Sequence, residues 1–241
     1  MTTPSKRAFI LLAAGSSRRM EDVVRDKILH RYEGLSPLQL LGKTIGQLRQ
    51  TPEIVIVYRD SSQKEALAKA WGQTLPVLWV QGGRERRDSV WAALQALPSS
   101  TSLVAIHDGA RPLVRPEQID ELYERTAEHG AAALAHQVRD SLKMVSGDPL
   151  SGTATPLKSL PREGLWAMET PQVFDFPEIT KAYAGAICRK LPLTDDLGAW
   201  ETTGKPCYLL PNRHPNPKIT TPADSEWLES YLRSRKDLVT K

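Results

Sequence analysis

The sequence predicts an α/β protein built on a doubly wound, mostly parallel sheet. Three observations carry that prediction. Short aliphatic runs alternate with amphipathic helical patterns along the chain. The runs are apolar over nearly their whole length, as strands covered on both faces must be. The links between them are short, as in units that cross from strand to helix to strand. Composition agrees: 241 residues, 40% of them hydrophobic and 25% charged, supply a core large enough to fold without disulfides or metal staples.

Taken in order, Ala8–Ala13 is the first strand and is followed by a helix whose Leu38, Leu41, Ile45 and Leu48 share one face. Ile54–Tyr58, Pro76–Val80, Leu103–His107 and Ala131–His136 are further strands. Pro116 suits the first turn of a helix that lines up Ile119, Leu122, Tyr123 and Thr126. The rhythm breaks at Val138–Leu165, a polar stretch punctuated by Ser146-Gly147-Asp148-Pro149 and Ser151-Gly152. It is expected to be a β-hairpin arm projecting from the sheet. Leu165-Trp166-Ala167-Met168 resumes the core, with helices near 178–188 and 195–203 and a strand near 207–210. Thr221-Pro222-Ala223-Asp224 opens a last helix with an N-cap, a first-turn proline and an acid. The expected organisation is one domain over residues 1–241, with 138–165 as its arm.

Several function classes fall away on composition. The longest fully apolar run, Ala8–Ala14, is far short of the ~20 residues of a membrane-spanning helix. The net charge is +4, with 32 basic residues dispersed among 28 acidic ones, so no nucleic-acid partner is expected. Two cysteines, Cys188 and Cys207, make neither a disulfide framework nor a zinc site, and suit a reduced, cytoplasmic setting. The first residues carry no signal-peptide pattern.

Three loops at strand ends carry the chemistry. Leu11-Leu12-Ala13-Ala14-Gly15-Ser16-Ser17-Arg18-Arg19-Met20 leaves the first strand in small residues, through which backbone N–H groups can approach an anion, and arginines follow to neutralise it. It lacks the spacing of a dinucleotide fingerprint and the Gly-Lys-Ser/Thr of a Walker loop. The competing reading is a plain turn with solvated arginines. Gly82-Gly83-Arg84-Glu85-Arg86-Arg87-Asp88-Ser89-Val90 is either a solvated charge run or a nucleotide contact. His107-Asp108-Gly109-Ala110-Arg111-Pro112 ends an apolar strand, where an Asp either caps a turn or holds Mg²⁺ through one oxygen and waters. His107 reads as structural, since Asp108 is the better ligand for a hard cation.

In this order, the three loops resemble those of the 2-C-methyl-D-erythritol 4-phosphate cytidylyltransferase family of the non-mevalonate isoprenoid pathway. The likeness continues through Arg139-Asp140-Ser141-Leu142-Lys143, Gly164-Leu165-Trp166, Thr170-Pro171-Gln172, Thr194-Asp195-Asp196 and Lys218-Ile219-Thr220-x-Pro222-x-Asp224, almost the whole chain. There are departures. Ser17 stands where the family usually has a second Gly, and Asp26-Lys27-Ile28 stands for Pro-Lys-Gln. Gly109, Ser141 and Asp196 replace Ala, Thr and Glu.

The resemblance implies a Rossmann-like nucleotidyltransferase that transfers CMP from CTP to 2-C-methyl-D-erythritol 4-phosphate with release of pyrophosphate. It implies that Arg19, Lys27 and Lys218 are the catalytic cations and that Asp108 holds Mg²⁺ or another divalent cation. Ala14, Gly15, Gly83, Arg84 and Ser89 would surround the cytidine; Arg111 and Thr194 would face the acceptor, and Thr170 would be a further substrate-binding residue. In a homodimer, the arm would bring Ser141 and Arg162 to the neighbouring site. The competing readings are a cytidylyltransferase for another polyol phosphate, such as ribitol 5-phosphate, and a non-catalytic nucleotide-binding regulatory protein. The set Arg19, Lys27, Asp108 and Lys218 argues against the latter, because CTP binding alone does not need all four charges.

Overall fold

The computed structural model describes residues 5–16, 20, 26–73, 75–148, 152 and 154–240. Its main sheet has seven strands in the order β3-β2-β1-β4-β8-β5-β9. These are β1 (Arg7–Leu12), β2 (Glu53–Tyr58), β3 (Val77–Gln81), β4 (Leu103–Asp108), β5 (Ala131–Gln137), β8 (Trp166–Asp175) and β9 (Tyr208–Pro211). All run parallel except β8, which is antiparallel to both β4 and β5. Side chains alternate across β1: Phe9 and Leu11 face one layer, Ala8 and Ile10 the other, and all four are buried. This two-sided burial is why the run is continuously apolar.

The first layer holds α1 (Pro37–Gly46), α2 (Ser61–Trp71) and α4 (Pro116–His129), which contribute Leu38, Leu41, Trp71, Ile119 and Tyr123. The second holds α3 (Arg86–Ala96), α5 (Phe176–Cys188) and α6 (Leu197–Glu201), with Val90, Leu94, Tyr183 and Trp200. A smaller cluster of Tyr32, Leu40, Leu113, Ile219, Leu228 and Leu232 packs α7 (Pro222–Ser234) beside the first layer; α8 (Lys236–Thr240) follows. Thr221 caps α7 with a proline in the first turn, as its sequence signals, and Ser36 caps α1 in the same way. No helix among the described residues is long and apolar enough to cross a membrane.

The fold class is the predicted one, with one element unforeseen. The segment expected only to resume the core is a ten-residue strand at the centre of the sheet. Pro171 inside it argues against a central strand, since it gives no N–H to the ladder. The structure accommodates it at an irregularity. Pairing with β4 runs only to Ile106↔Gln172, and the register with β5 shifts between Ala133 and Ala135. The helix expected near 195–203 is also shorter, at Leu197–Glu201. The arm is a separate two-stranded antiparallel sheet of β6 (Leu142–Val145) and β7 (Leu157–Leu160), in the register Leu142↔Leu160. It exposes Met144, Val145 and Leu157.

Candidate active site

The parallel strands deliver three loops to the carboxyl end of the sheet, and the backbone ties them together. The Gly109 N–H donates to the Leu12 carbonyl (3.0 Å), Ala13 N–H to Val57 (3.0 Å) and Gly82 N–H to Tyr58 (2.7 Å). Carboxyl ends of strands in open α/β sheets are where ligands bind. Within the glycine loop, the Ser89 hydroxyl accepts from the Gly83 N–H (3.1 Å) and is placed to donate to the Glu85 carbonyl (3.1 Å). A Cβ on Gly83 would lie 2.3 Å from Asp88 Cβ, so the turn into α3 closes only over glycine. Arg84, exposed, leads from this turn to α3.

The charged run beyond it is not a solvated face. Arg86 forms a two-pronged bond with Asp196, Nη1 to Oδ1 at 2.8 Å and Nη2 to Oδ2 at 2.6 Å, while Nε lies 3.4 Å from Asp108 Oδ1. Asp196 is fully buried and also accepts from the Tyr183 hydroxyl (2.5 Å). Arg86 escapes a local reading because its partner is 110 positions away.

Asp108 is the centre of the site. Lys218 Nζ lies 2.8 Å from its Oδ2 and Arg111 Nε 3.9 Å from the same oxygen. Burial pushes the Asp108 carboxyl up, but Arg86, Lys218 and Arg111 more than offset this and hold it well below the usual carboxylate range. The buried Nε of Arg111 has no hydrogen-bond partner in the protein.

Behind Asp108, a chain of hydrogen bonds fixes its orientation. Its N–H donates to Thr170 Oγ1 (3.0 Å), which is 3.1 Å from His107 Nδ1, and His107 Nε2 is 2.9 Å from the Arg111 carbonyl. The carbonyl can only accept, so the proton is on Nε2 and Nδ1 accepts from Thr170. Burial lowers the His107 pKa to about 4, so the ring is neutral at neutral pH. Thr170 is itself buried beneath Asp108, with its hydroxyl engaged there. Thr194 is exposed at the start of the Asp195-Asp196 turn. Gln172 clamps that turn: Nε2 donates to Asp195 Oδ2 (2.9 Å), and Oε1 accepts from the N–H groups of Asp196 and Leu197 (both 3.1 Å).

Ala14 and Gly15 line the first loop, where the Gly15 carbonyl accepts from Arg59 Nη1 (3.0 Å). Lys27 follows Asp26, which is pinned on both oxygens: Oδ1 accepts from the Ile28 N–H (3.1 Å) and Oδ2 from Gln63 Nε2 (2.7 Å). Gln63 Nε2 also donates to the Ala13 carbonyl (2.9 Å), binding the segment to the loop after β1. Burial pushes the Asp224 carboxyl up; the N–H groups of Thr221 and Thr220 and the Lys27 charge together hold it lower. Lys27 therefore lies toward the N-terminus of α7, on the side from which Lys218 also comes. Arg19 lies outside the described residues. Ser141 and Arg162, both exposed, sit at the base of the arm, where Arg162 Nη1 donates to the Arg139 carbonyl (2.7 Å).

The residues present suit a divalent cation only in partnership with a ligand. Among the described residues, no cluster of three or more Asp, Glu, His or Cys side chains is placed to bind one. Asp108, its carboxyl held low by the neighbouring cations and already carrying the Lys218 ammonium, supplies one hard oxygen. Mg²⁺ commonly takes one or two carboxylates and fills its other positions with phosphate oxygens and water.

Comparison with known proteins gives the family and the fold. The model of the family described as IspD: 2-C-methyl-D-erythritol 4-phosphate cytidylyltransferase matches residues 8–234. The chain is 37% identical over 234 residues to the 2-C-methyl-D-erythritol 4-phosphate cytidylyltransferase of Desulforamulus reducens, covering 94% of this chain and 95% of that one. It is 38% identical to the bifunctional enzyme IspD/IspF of Desulforudis audaxviator, of which the match spans 56%. The crystal structure of the Francisella tularensis cytidylyltransferase superposes with a TM-score of 0.77 at 26% identity, covering 94% of this chain and 99% of that one. That from Thermus thermophilus gives 0.75 at 25% identity, covering 93% and 98%. With matches of this extent in sequence and in fold, the chain belongs to the 2-C-methyl-D-erythritol 4-phosphate cytidylyltransferase family.

Proposed function

We propose that the site at the carboxyl end of the sheet around Asp108 transfers CMP from CTP to 2-C-methyl-D-erythritol 4-phosphate. A phosphate oxygen of the acceptor attacks the α-phosphorus, the bond to the bridging oxygen breaks, and pyrophosphate leaves. The observation that carries the reading is the cluster itself: one carboxylate kept ionised among Arg86, Arg111 and Lys218, beside a glycine turn. The nucleophile is an anion before it binds, so no side chain need deprotonate it. What the reaction requires is positioning of anions against one another and cations where charge grows on the bridging oxygens.

The side chains fit those tasks. The Ser89 hydroxyl is committed to shaping the glycine turn and is not free to attack. Burial pushes the Cys207 thiol up to about 12, so it stays protonated. Lys218 and Lys27 approach the triphosphate from the α7 side; the family resemblance makes Arg19 the third catalytic cation. Arg111, with an unsatisfied Nε, takes the acceptor phosphate together with Thr194. Thr170 acts from beneath, by fixing the Asp108 backbone. Ala14, Gly15, Gly83 and Arg84 enclose the cytidine. Asp108 holds Mg²⁺, which screens the phosphate charges when bound. The working unit is a homodimer in which the arm presents Ser141 and Arg162 to the other subunit's acceptor.

Pyrophosphate release, measured with each nucleoside triphosphate against 2-C-methyl-D-erythritol 4-phosphate, ribitol 5-phosphate and no acceptor, tests the reading. Release with CTP and the methylerythritol phosphate, abolished by EDTA and restored by Mg²⁺, is expected. Preference for ribitol 5-phosphate, or for a purine nucleotide, refutes it.

A further inference from the structure

Lys218 is carried by a loop that the backbone alone holds poorly. Its ends are fastened by the Asn212 N–H to the Ala135 carbonyl (2.7 Å) and the Ile219 N–H to the Ala110 carbonyl (2.8 Å). Between them, Pro215 and Pro217 have no N–H to give. Side chains do the fastening instead, and they converge on Glu169 in β8. That residue is 4% exposed, and its carboxylate is costly to bury unless hydrogen-bonded. Oε2 accepts from Asn212 Nδ2 (2.8 Å) and Asn216 Nδ2 (2.7 Å), and Oε1 lies 2.6 Å from His136 Nδ1.

Asn216 is the link to the chemistry. Its Nδ2 also donates to the Thr170 carbonyl (3.1 Å), and its own backbone carbonyl accepts from Arg111 Nη1 (2.8 Å). Its Oδ1 is buried with no protein partner, so the amide is oriented from the Nδ2 side alone. Two residues on, Lys218 reaches Asp108. Glu169 thus pins the one loop that both places Lys218 and supports Arg111.

We propose that Glu169, acting through Asn216, is a positioning residue that sets Lys218 and Arg111 for the transition state. This rests on the catalytic role proposed for Lys218. A cation set by a rigid tie lowers the barrier without tightening ground-state binding, so loss of the tie falls on kcat.

Steady-state pyrophosphate release from Glu169→Ala, Glu169→Gln, Lys218→Ala and the double variant Glu169→Ala/Lys218→Ala tests the idea. Glu169→Ala is expected to lose about tenfold or more in kcat with the KM for CTP changed less than about twofold. Glu169→Gln, whose amide oxygen still accepts from Asn216, is expected to recover most of that loss. Adding Glu169→Ala to Lys218→Ala is expected to cost far less than it costs the wild type, since the two act as a unit. If Glu169→Ala does not fold, Asn216→Ala cuts the same tie from the loop side and is expected to show the same selective loss of kcat. Near wild-type kcat in Glu169→Ala or Asn216→Ala beside a crippled Lys218→Ala overturns the positioning role alone. So does an equal cost in both backgrounds. A Lys218→Ala enzyme at full rate removes the catalytic reading and this proposal with it.

Discussion

Asp108 stands among three cations, and the balance between them decides what its replacement does. In Asp108→Asn, Arg86 keeps its two bonds to Asp196, and Lys218, more than a third exposed, turns to solvent. The fold is therefore expected to persist, while Mg²⁺-dependent turnover falls by about a hundredfold or more. Thermal melting and kcat on the same preparation check both halves; near wild-type turnover would sink the metal assignment. For Lys27→Ala, kcat is expected to fall about a hundredfold with the KM for CTP moving only a few fold, because a cation aimed at developing charge acts on the transition state. Equal losses in both constants would contradict it. The unusual Asp26-Lys27-Ile28 context is reconciled by Gln63, which ties Asp26 to the Ala13 carbonyl. Asp108 and Arg111 were legible because they share a short motif at the end of an apolar run, whereas Lys218, behind a polar loop, was legible only through the likeness of Lys218-Ile219-Thr220-x-Pro222-x-Asp224 to the family. Arg86 and Glu169 were not: their partners are distant in sequence, and only the fold reveals that their charges are buried and paired.

The elements were legible to the extent that each buries a regular face. β1, β2, β4 and β5 are apolar along their length because helices cover both sides, α1 declares itself by periodicity, and α4 by periodicity and a first-turn proline. β8 did not, because Glu169, Thr170, Pro171 and Gln172 interrupt its apolar pattern with groups that serve the site. The irregularity that admits Pro171 also frees the Thr170 hydroxyl to take the Asp108 N–H in place of a ladder partner. At the same scale, the turn from β3 into α3 yields a sharp expectation. In Gly83→Ala the new methyl meets Asp88 Cβ, which backbone geometry fixes, so the first turn of α3 must move and take Ser89 with it. The KM for CTP is expected to rise about tenfold, with a stability loss of roughly 1–3 kcal/mol from the overpacked turn. Calorimetry and CTP titration measure these; a variant unchanged in both would mean that the turn relaxes freely and does not shape the nucleotide site.

The arm poses the question of the whole molecule. β6 and β7 form a sheet of their own, and Met144, Val145 and Leu157 lie on it exposed, three of the five large exposed hydrophobic residues among the described positions. A two-stranded hairpin is marginal alone in water, and exposed apolar side chains on it call for a covering surface. A second copy of the chain related by a twofold axis would supply that surface twice with one interface. If Arg162 then serves the partner's acceptor site, two separately crippled proteins complement one another. Arg162→Ala and Lys27→Ala homodimers are each expected to be nearly inactive. After subunit exchange, one site of every heterodimer carries both an intact Lys27 and an intact Arg162, and the other site lacks both. Each heterodimer should then work at about half the wild-type rate, and an equal mixture at about a quarter, since random exchange makes half of the dimers mixed. Sedimentation at micromolar concentration fixes the oligomeric state, and exchange of tagged subunits confirms that mixing took place. A monomer in the first measurement, or confirmed exchange without recovered activity in the second, would show that each chain completes its own site and that the arm's apolar face has some other use.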